Sequence, residues 1–162
     1  MIRPVKSEDV SAITRIYNEY IVNSTVTFEE EPLQEEEMRK RILTISAHHP
    51  YFVYETEEGI IGYCYAHPWK ERSAYRYTLE TTVYLTPACI GKGIGELLMQ
   101  QLIHSCRTMG YHALIACITE ENQGSIHFHE RLGFKQVSRF EKVGIKFNRW
   151  LDVVDYELLL EP

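Results

Sequence analysis

Apolar positions along this chain recur with a period that switches between about 3.6 and 2, and each switch marks a new element. Val10, Ile13, Ile16, Tyr17, Tyr20 and Ile21 return at helical spacing, predicting an amphipathic helix that runs to about Val22. Ser7 reads as its N-cap, with Glu8 and Asp9 in the first turn, where a carboxylate meets the positive end of the helix. Met1 to Val5 reads as a short extended segment limited by Pro4. After a polar, extended stretch from Asn23 to Pro32, with Phe28 as its lone large apolar group, a second helix is expected over Gln34 to Ser46, turning Met38, Ile42 and Ile45 inward.

The period then falls to that of strands. Tyr51 to Glu55 and Ile60 to His67 flank the turn Glu57-Glu58-Gly59, a hairpin signal, and a third, longer strand is expected from about Tyr75 to Leu85. Ile94, Leu97, Leu98, Leu102 and Cys106 restore a helical period that ends near Gly110. His112 to Ile118 is apolar enough for a central strand, and Asn122 to Arg131 reads as a short helix closed by Gly133. Phe134 to Phe140 and Trp150 to Leu160 read as final strands, the last with Trp150, Val154, Tyr156, Leu158 and Leu160 on one face. No repeat, linker or low-complexity tract interrupts this order, which predicts one mixed α/β domain over residues 1–162.

The junction of the third strand with the following helix carries the most chemistry. Thr82-Val83-Tyr84-Leu85-Thr86-Pro87 leads into Ala88-Cys89-Ile90-Gly91-Lys92-Gly93-Ile94-Gly95, so that a strand, a glycine-rich turn and a helix follow one another. Such a turn lets backbone N–H groups crowd around an anion, the helix adds its positive end, and Lys92 adds a charge. A dinucleotide fingerprint needs a third glycine where Glu96 stands, and a P-loop needs Gly-Lys-Ser/Thr, so neither pattern is met. From these residues alone, the glycines serve either an anion or only the geometry of a turn.

Composition narrows the class. At 162 residues, 44% hydrophobic and 25% charged, the chain has the makeup of an ordinary globular domain, and its net charge of -6 argues against nucleic acid as a partner. Cys64, Cys89, Cys106 and Cys117 have no C-x-x-C spacing, which favours buried or free thiols over disulfides or a zinc site; His127 and His129, two apart, fall on different helix faces, and no metal is expected. Met1-Ile2-Arg3-Pro4 runs directly into polar residues and no apolar run reaches membrane-spanning length, so the expected location is cytoplasmic, with no membrane partner. Glu29-Glu30-Glu31 and Glu35-Glu36-Glu37 read as solvated faces or helix starts.

Ile90 to Gly95 resembles the acetyl-CoA loop of the GCN5-related N-acetyltransferases, Gln/Arg-x-x-Gly-x-Gly/Ala, with Gly93 and Gly95 at the small positions and Ile90 replacing the usual Gln or Arg. Glu121-Asn122-Gln123-Gly124-Ser125 and His129-Glu130-Arg131-Leu132-Gly133-Phe134 resemble that family's later motif, and the predicted order of elements is also the family's. Asn23 to Phe28, Pro68 to Tyr75 and Lys146 to Val153 are similar to the phosphinothricin and methionine sulfoximine acetyltransferase branch.

The resemblance implies a mixed, mostly antiparallel sheet with helices on both faces, and acetyl-CoA as cosubstrate. It implies that backbone groups of Val83, Tyr84 and Leu85 hold the pantetheine arm, that Gly91, Lys92, Gly93, Ile94 and Gly95 hold the pyrophosphate, and that Asn122 and Ser125 assist at a helix start. Glu80 aligns with the family's general base, although alternation alone would also allow a solvent-facing carboxylate there. His129 stands where a tyrosine is thought to protonate the leaving thiolate. Arg72 and Arg76 would meet the acid groups of a small amino-acid substrate, with Phe28, Trp69 and Tyr75 as apolar walls. A homodimer is implied through the C-terminal strand region. Acetylation of a peptide amine, or CoA binding without catalysis, stays open beside the small-substrate reading.

Overall fold

Val10, Ile13 and Ile16 fall on one stripe of helix α1 (Val10–Asn23), and Met38 and Ile42 on one stripe of α2 (Glu35–Ser46). In a computed structural model, which describes residues 1–161, these stripes pack on Tyr51 and Val53 of strand β2 (Tyr51–Thr56) and on Tyr63 of β3 (Gly59–Pro68). Successive strand residues point to opposite faces, so Phe52 and Tyr54 of β2 and Cys64 and Ala66 of β3 enter a second core on the far side of the sheet. That core is roofed by Leu98, Met99, Leu102 and Cys106 of α3 (Ile94–Thr108) and by Ile126 of α4 (Gln123–Arg131).

The remaining strands are β1 (Ile2–Pro4), β4 (Thr78–Leu85), β5 (Ala113–Thr119), β6 (Lys135–Lys146) and β7 (Arg149–Leu159). They assemble one seven-stranded sheet in the order β1-β2-β3-β4-β5-β7-β6. Every neighbouring pair is antiparallel except β4–β5, which is parallel because α3 carries the chain back across the sheet between them. Among the described residues, no helix is long and apolar enough to cross a membrane.

Four local expectations need correction. Ser7 is not a cap: Ser7–Asp9 form a 3-10 turn, and it is the Asp9 carboxylate that accepts the Lys6 N–H at 2.8 Å. The strand carrying Glu80 begins at Thr78, not at Tyr75. Residues Ser73–Tyr75 form a 3-10 turn, and the Tyr75 ring packs edge-on against Trp69 at 5.3 Å, with the Lys70 ammonium 4.4 Å from the indole. The apolar surface of Tyr75 is thus satisfied within its own loop rather than in a sheet.

Strand β6 runs on to Lys146 instead of stopping at Phe140, through a register shift between Phe140 and Gly144 that is held by the Lys142 N–H donating to Asp152 at 2.7 Å. It turns at Phe147 and Asn148, whose φ values of 52° and 58° are the left-handed pair a two-residue hairpin requires. Of the face expected on the last strand, Val154, Tyr156 and Leu160 are buried and Leu158 half-buried, but Trp150 lies beyond both cores and is 61% exposed.

The first strand is tied down electrostatically. Arg3 donates two hydrogen bonds to Asp9 (2.8 and 2.9 Å) and two to Glu55 (2.7 and 3.0 Å), linking β1, the turn before α1 and β2. Burial works to raise the Asp9 carboxyl, but Arg3 and the Lys6 N–H outweigh it and hold the group below its ordinary range. This stabilisation is present above the unfolded pKa of an aspartate and is lost as pH falls through the lowered folded value. Arg3→Met leaves Asp9, 3% exposed, without its cation; urea unfolding should show a loss of about 3 kcal/mol at pH 7, and a smaller loss in acid.

Candidate active site

Strands β4 and β5 are paired over only three residues, Thr78–Ala113, Leu79–Leu114 and Glu80–Ile115. Both continue beyond, β4 to Leu85 and β5 to Thr119, without pairing to each other. Each stays in register with its other neighbour, β4 with β3 as far as Leu85–Gly62 and β5 with β7 as far as Thr119–Val153, so the sheet forks after Glu80. Inside a fork, strand edges present N–H and C=O groups that a bound extended chain can satisfy. One of these, the Leu85 carbonyl, already accepts the Tyr20 hydroxyl.

Two cavities open at the fork. One, of about 340 Å³, is bordered by Glu80 and Thr82 of β4, by Tyr17 and Tyr65, by Thr27 and Phe28 of the loop after α1, and by His129 of α4. The other, of about 600 Å³, follows Val83, Tyr84 and Leu85 towards Gly91, Gly93 and Gly95, with Phe128 and Arg131 opposite. Val26, Val83, Tyr84, Asn122 and Ser125 border both, so the two are neighbouring chambers with shared walls.

The larger chamber has the parts that an extended, phosphate-bearing cosubstrate needs. Gly91 and Gly93 both have φ of +80°, with open space where a Cβ would stand, and Gly93 is the N-cap of α3. That backbone conformation directs the unpaired first-turn N–H groups of α3 outward as an anion cradle. Lys92 is exposed and its side chain does not border the chamber, and the Ile94 side chain packs into the core, so these two positions offer backbone rather than side chain. Ile90 borders the chamber with an apolar side chain. Asn122 caps α4 by accepting the Ser125 N–H at 3.2 Å.

Glu80 is half-buried, and burial pushes its carboxyl above the ordinary glutamate range. His67, its register partner on β3, works against that shift, and Asp155 adds to it. His129 is 5% exposed, and its ring lies edge-on to Phe128 and Phe134 at 5.2 and 5.1 Å. Burial lowers its pKa, and the contact with the Ser125 carbonyl only partly offsets this. That carbonyl lies 2.8 Å from Nδ1 and can only accept, so Nδ1 carries the proton and Nε2 is a bare acceptor in the neutral ring. At neutral pH the ring therefore has no proton on Nε2 to offer a thiolate, which departs from the donor role implied by the resemblance.

Of the residues expected to bind substrate, only Phe28 borders the Glu80 cavity; it is 39% exposed. Trp69, Arg72, Tyr75 and Arg76 sit on the loop that leaves the sheet after Pro68 and are not walls of that cavity. Arg72 and Arg76 are exposed, the latter stacked on Tyr77 at 4.7 Å. Sequence reading passed over Tyr17, Tyr20, Tyr65, Thr27 and Arg131. The tyrosines fit the apolar periodicity and read as core; the one cue was the hydroxyl each carries, since a buried phenol needs a polar partner. Among the described residues, no group of three or more His, Cys, Asp or Glu side chains is placed to hold a metal ion.

Comparison with known proteins agrees with this geometry. The acetyltransferase (GNAT) domain family matches residues 2–154. A phosphinothricin N-acetyltransferase of Alcaligenes faecalis is 40% identical over 94% of this chain and 79% of its own. An L-methionine sulfoximine/L-methionine sulfone acetyltransferase of Salmonella typhimurium is 33% identical over 99% of this chain and 94% of its own. The crystal structure of a phosphinothricin acetyltransferase from Sinorhizobium meliloti in complex with acetyl-CoA superposes with a TM-score of 0.95, at 37% identity, covering 98% of this chain and 87% of that one. The chain belongs to the GNAT family and is an N-acetyltransferase that uses acetyl-CoA.

Proposed function

We propose that this enzyme acetylates the α-amine of a small amino acid, with Glu80 as the general base in the smaller chamber and acetyl-CoA held along the larger one. The observation that carries the reading is a half-buried carboxylate of raised pKa at the point where β4 and β5 part, in a cavity that shares walls with the anion cradle. The names of the relatives support a substrate of the phosphinothricin, methionine sulfoximine or methionine sulfone type.

An ammonium ion is not a nucleophile, so transfer requires a base close to the amine. An ordinary glutamate, with a pKa of about 4.3, is a weak base towards it, and burial of Glu80 narrows the gap. Acetyl-CoA supplies the activated acetyl group. The unpaired backbone of β4 beyond Glu80 offers N–H groups to the thioester oxygen as it gains charge. Gly91, Gly93 and Gly95, with the backbone of Lys92 and Ile94, hold the pyrophosphate; Val83, Tyr84 and Leu85 hold the pantetheine, with Asn122 and Ser125 across from them. His129, neutral and hydrogen-bonded through Nδ1, borders the smaller chamber with Nε2 left as an acceptor. Phe28 walls the aliphatic part of the substrate, and Arg72 and Arg76, beside Trp69 and Tyr75 on the loop past His67, attract its acid groups to the rim.

We also propose a homodimer. Val143, Ile145, Phe147 and Trp150, all at least half exposed, form an apolar surface on the β6–β7 hairpin that matches the expected C-terminal contact.

Three measurements test these assignments. CoA thiol release should be fast with phosphinothricin, methionine sulfoximine or methionine sulfone and slow with ordinary amino acids and a basic peptide; turnover of the peptide alone would remove the small-substrate reading. Since the working form of Glu80 is its carboxylate, kcat/KM should rise with pH through a limb above the ordinary glutamate value. Glu80→Gln should abolish that limb and lower kcat about 100-fold or more, with acetyl-CoA affinity held within twofold by calorimetry. In light scattering, the parent chain should have twice its monomer mass, and the pair of substitutions Phe147→Glu and Trp150→Glu should give the monomer.

A further inference from the structure

Lys146 is a buried cation that the reaction does not use. It is 2% exposed at the end of β6, and no carboxylate pairs with it among the described residues. Its Nζ donates at 2.8 Å to the backbone carbonyl of Thr27 and lies 5.2 Å from the Phe147 ring centroid. Burial lowers its pKa, and Glu30 and Glu29 pull the other way. An ammonium in such a place is unfavourable unless a hydrogen bond holds it, and the bond it makes is with the loop that borders the Glu80 cavity.

A second contact, independent of charge, joins the same hairpin to the same loop. A Cβ on Gly144 would lie 2.2 Å from a carbon of the Phe28 ring, so the ring rests directly on the backbone of β6, where any other residue would displace it. The loop is gripped from other sides as well. The Thr25 carbonyl accepts the Thr119 hydroxyl at 2.7 Å, and the Thr27 hydroxyl pairs with Tyr17 at 2.8 Å. Tyr17 also bonds Glu29, which Arg41 holds through two hydrogen bonds of 2.7 and 2.9 Å. Val26, which borders both chambers, is thus fixed through Thr25, whereas Thr27 and Phe28, which border only the amine chamber, depend on β6 for the hold on the Thr27 carbonyl and on the Phe28 ring.

We propose that Lys146 and Gly144 are positioning residues for the amine chamber: from the tip of the β6–β7 hairpin they hold Thr27 and Phe28 as its outer wall and so set which amino-acid side chains it admits. The inference rests on that chamber being the amine site. Neither residue touches the reacting atoms; each acts through the loop.

The test compares Lys146→Met, which keeps length but has no donor, with Lys146→Arg, which restores an N–H, and with Gly144→Ala, which intrudes on the Phe28 ring. Hydrogen exchange is followed in the free protein at the Val26 and Glu29 amides, which bond to Ser24 Oγ (3.4 Å) and Thr27 Oγ1 (3.3 Å). Steady-state kinetics are measured with methionine sulfone and acetyl-CoA. In Lys146→Met and Gly144→Ala, exchange at the Glu29 amide should quicken at least tenfold while that at Val26, held through Thr25, stays within twofold, and the KM for the amine should rise at least tenfold. The KM for acetyl-CoA should stay within twofold, and Lys146→Arg should recover most of both losses. Unchanged exchange at Glu29 overturns the proposal, as does faster exchange there with an unchanged KM for the amine, or an equal rise in both KM values, which marks general loosening. If the parent enzyme turns over no amine of the panel, it is the amine-site reading that fails; the exchange at Glu29, read against that at Val26, then decides the grip on the loop by itself.

Discussion

The parallel pairing of β4 with β5 ends after three residues, and the site is a consequence of where it ends. A backbone edge left inside a protein must find partners. Here each strand keeps an antiparallel neighbour on its outer side, so the edges that face each other, apart from the Leu85 carbonyl taken by Tyr20, are left for a third extended chain. Glu80 belongs to the last pair before the fork and borders the smaller chamber, which shares walls with the larger one. The helix that follows β4 must cross the sheet to allow a parallel β5, and its N-terminus opens beside the same gap. On the proposed reading, one topological decision thus sets the base, the strand-like cradle and the anion cradle next to one another.

What the fork cannot supply is an outer wall. On the α1 side that wall is an irregular loop, and its order is bought with polar contacts from four elements: Tyr17 of α1, Arg41 of α2, Thr119 of β5 and Lys146 of β6. Such a wall differs in kind from the cores above and below the sheet, which are apolar and close-packed. Loops on a rigid scaffold are where substrate preference can vary without disturbing the chemistry. On the proposed reading, the division between fork and loop separates what the enzyme does from what it does it to.

Helix and strand positions were legible wherever periodicity is local, as with the alternation of Tyr51 to Tyr54 across two cores. Legibility failed where a contact distant in sequence overrode it. Tyr75 looks like the start of a strand until Trp69 folds back on it, and β6 looks finished at Phe140 until the Asp152 carboxylate holds its bulge. The glycine turn could be read because φ of +80° at Gly91 and Gly93 is a demand made on those residues themselves. The outer wall could not: Thr27 and Lys146 are 119 residues apart, and nothing in either stretch announces the other. Arg72 and Arg76 show the reverse case, a suggestive local string that the fold of a single copy keeps out of the cavity.

Burial acts on Glu80 and His129 in opposite directions, raising the carboxyl and lowering the imidazole. Their ordinary values lie about two units apart, the imidazole above the carboxyl, so each shift moves one towards the other. Both changes follow from one cause, the loss of water around a group whose charged form needs it. An acetyl transfer to an amine begins with a proton leaving nitrogen and ends with one reaching sulfur, and it is served best by groups that can hold the proton without holding it fast. On the proposed reading, Glu80 receives the first proton, while His129, its Nδ1 committed to the Ser125 carbonyl, can receive one only at Nε2. The ring becomes a donor only after it has been an acceptor, so any proton it passes to sulfur must first have come from the substrate side of the fork or from water.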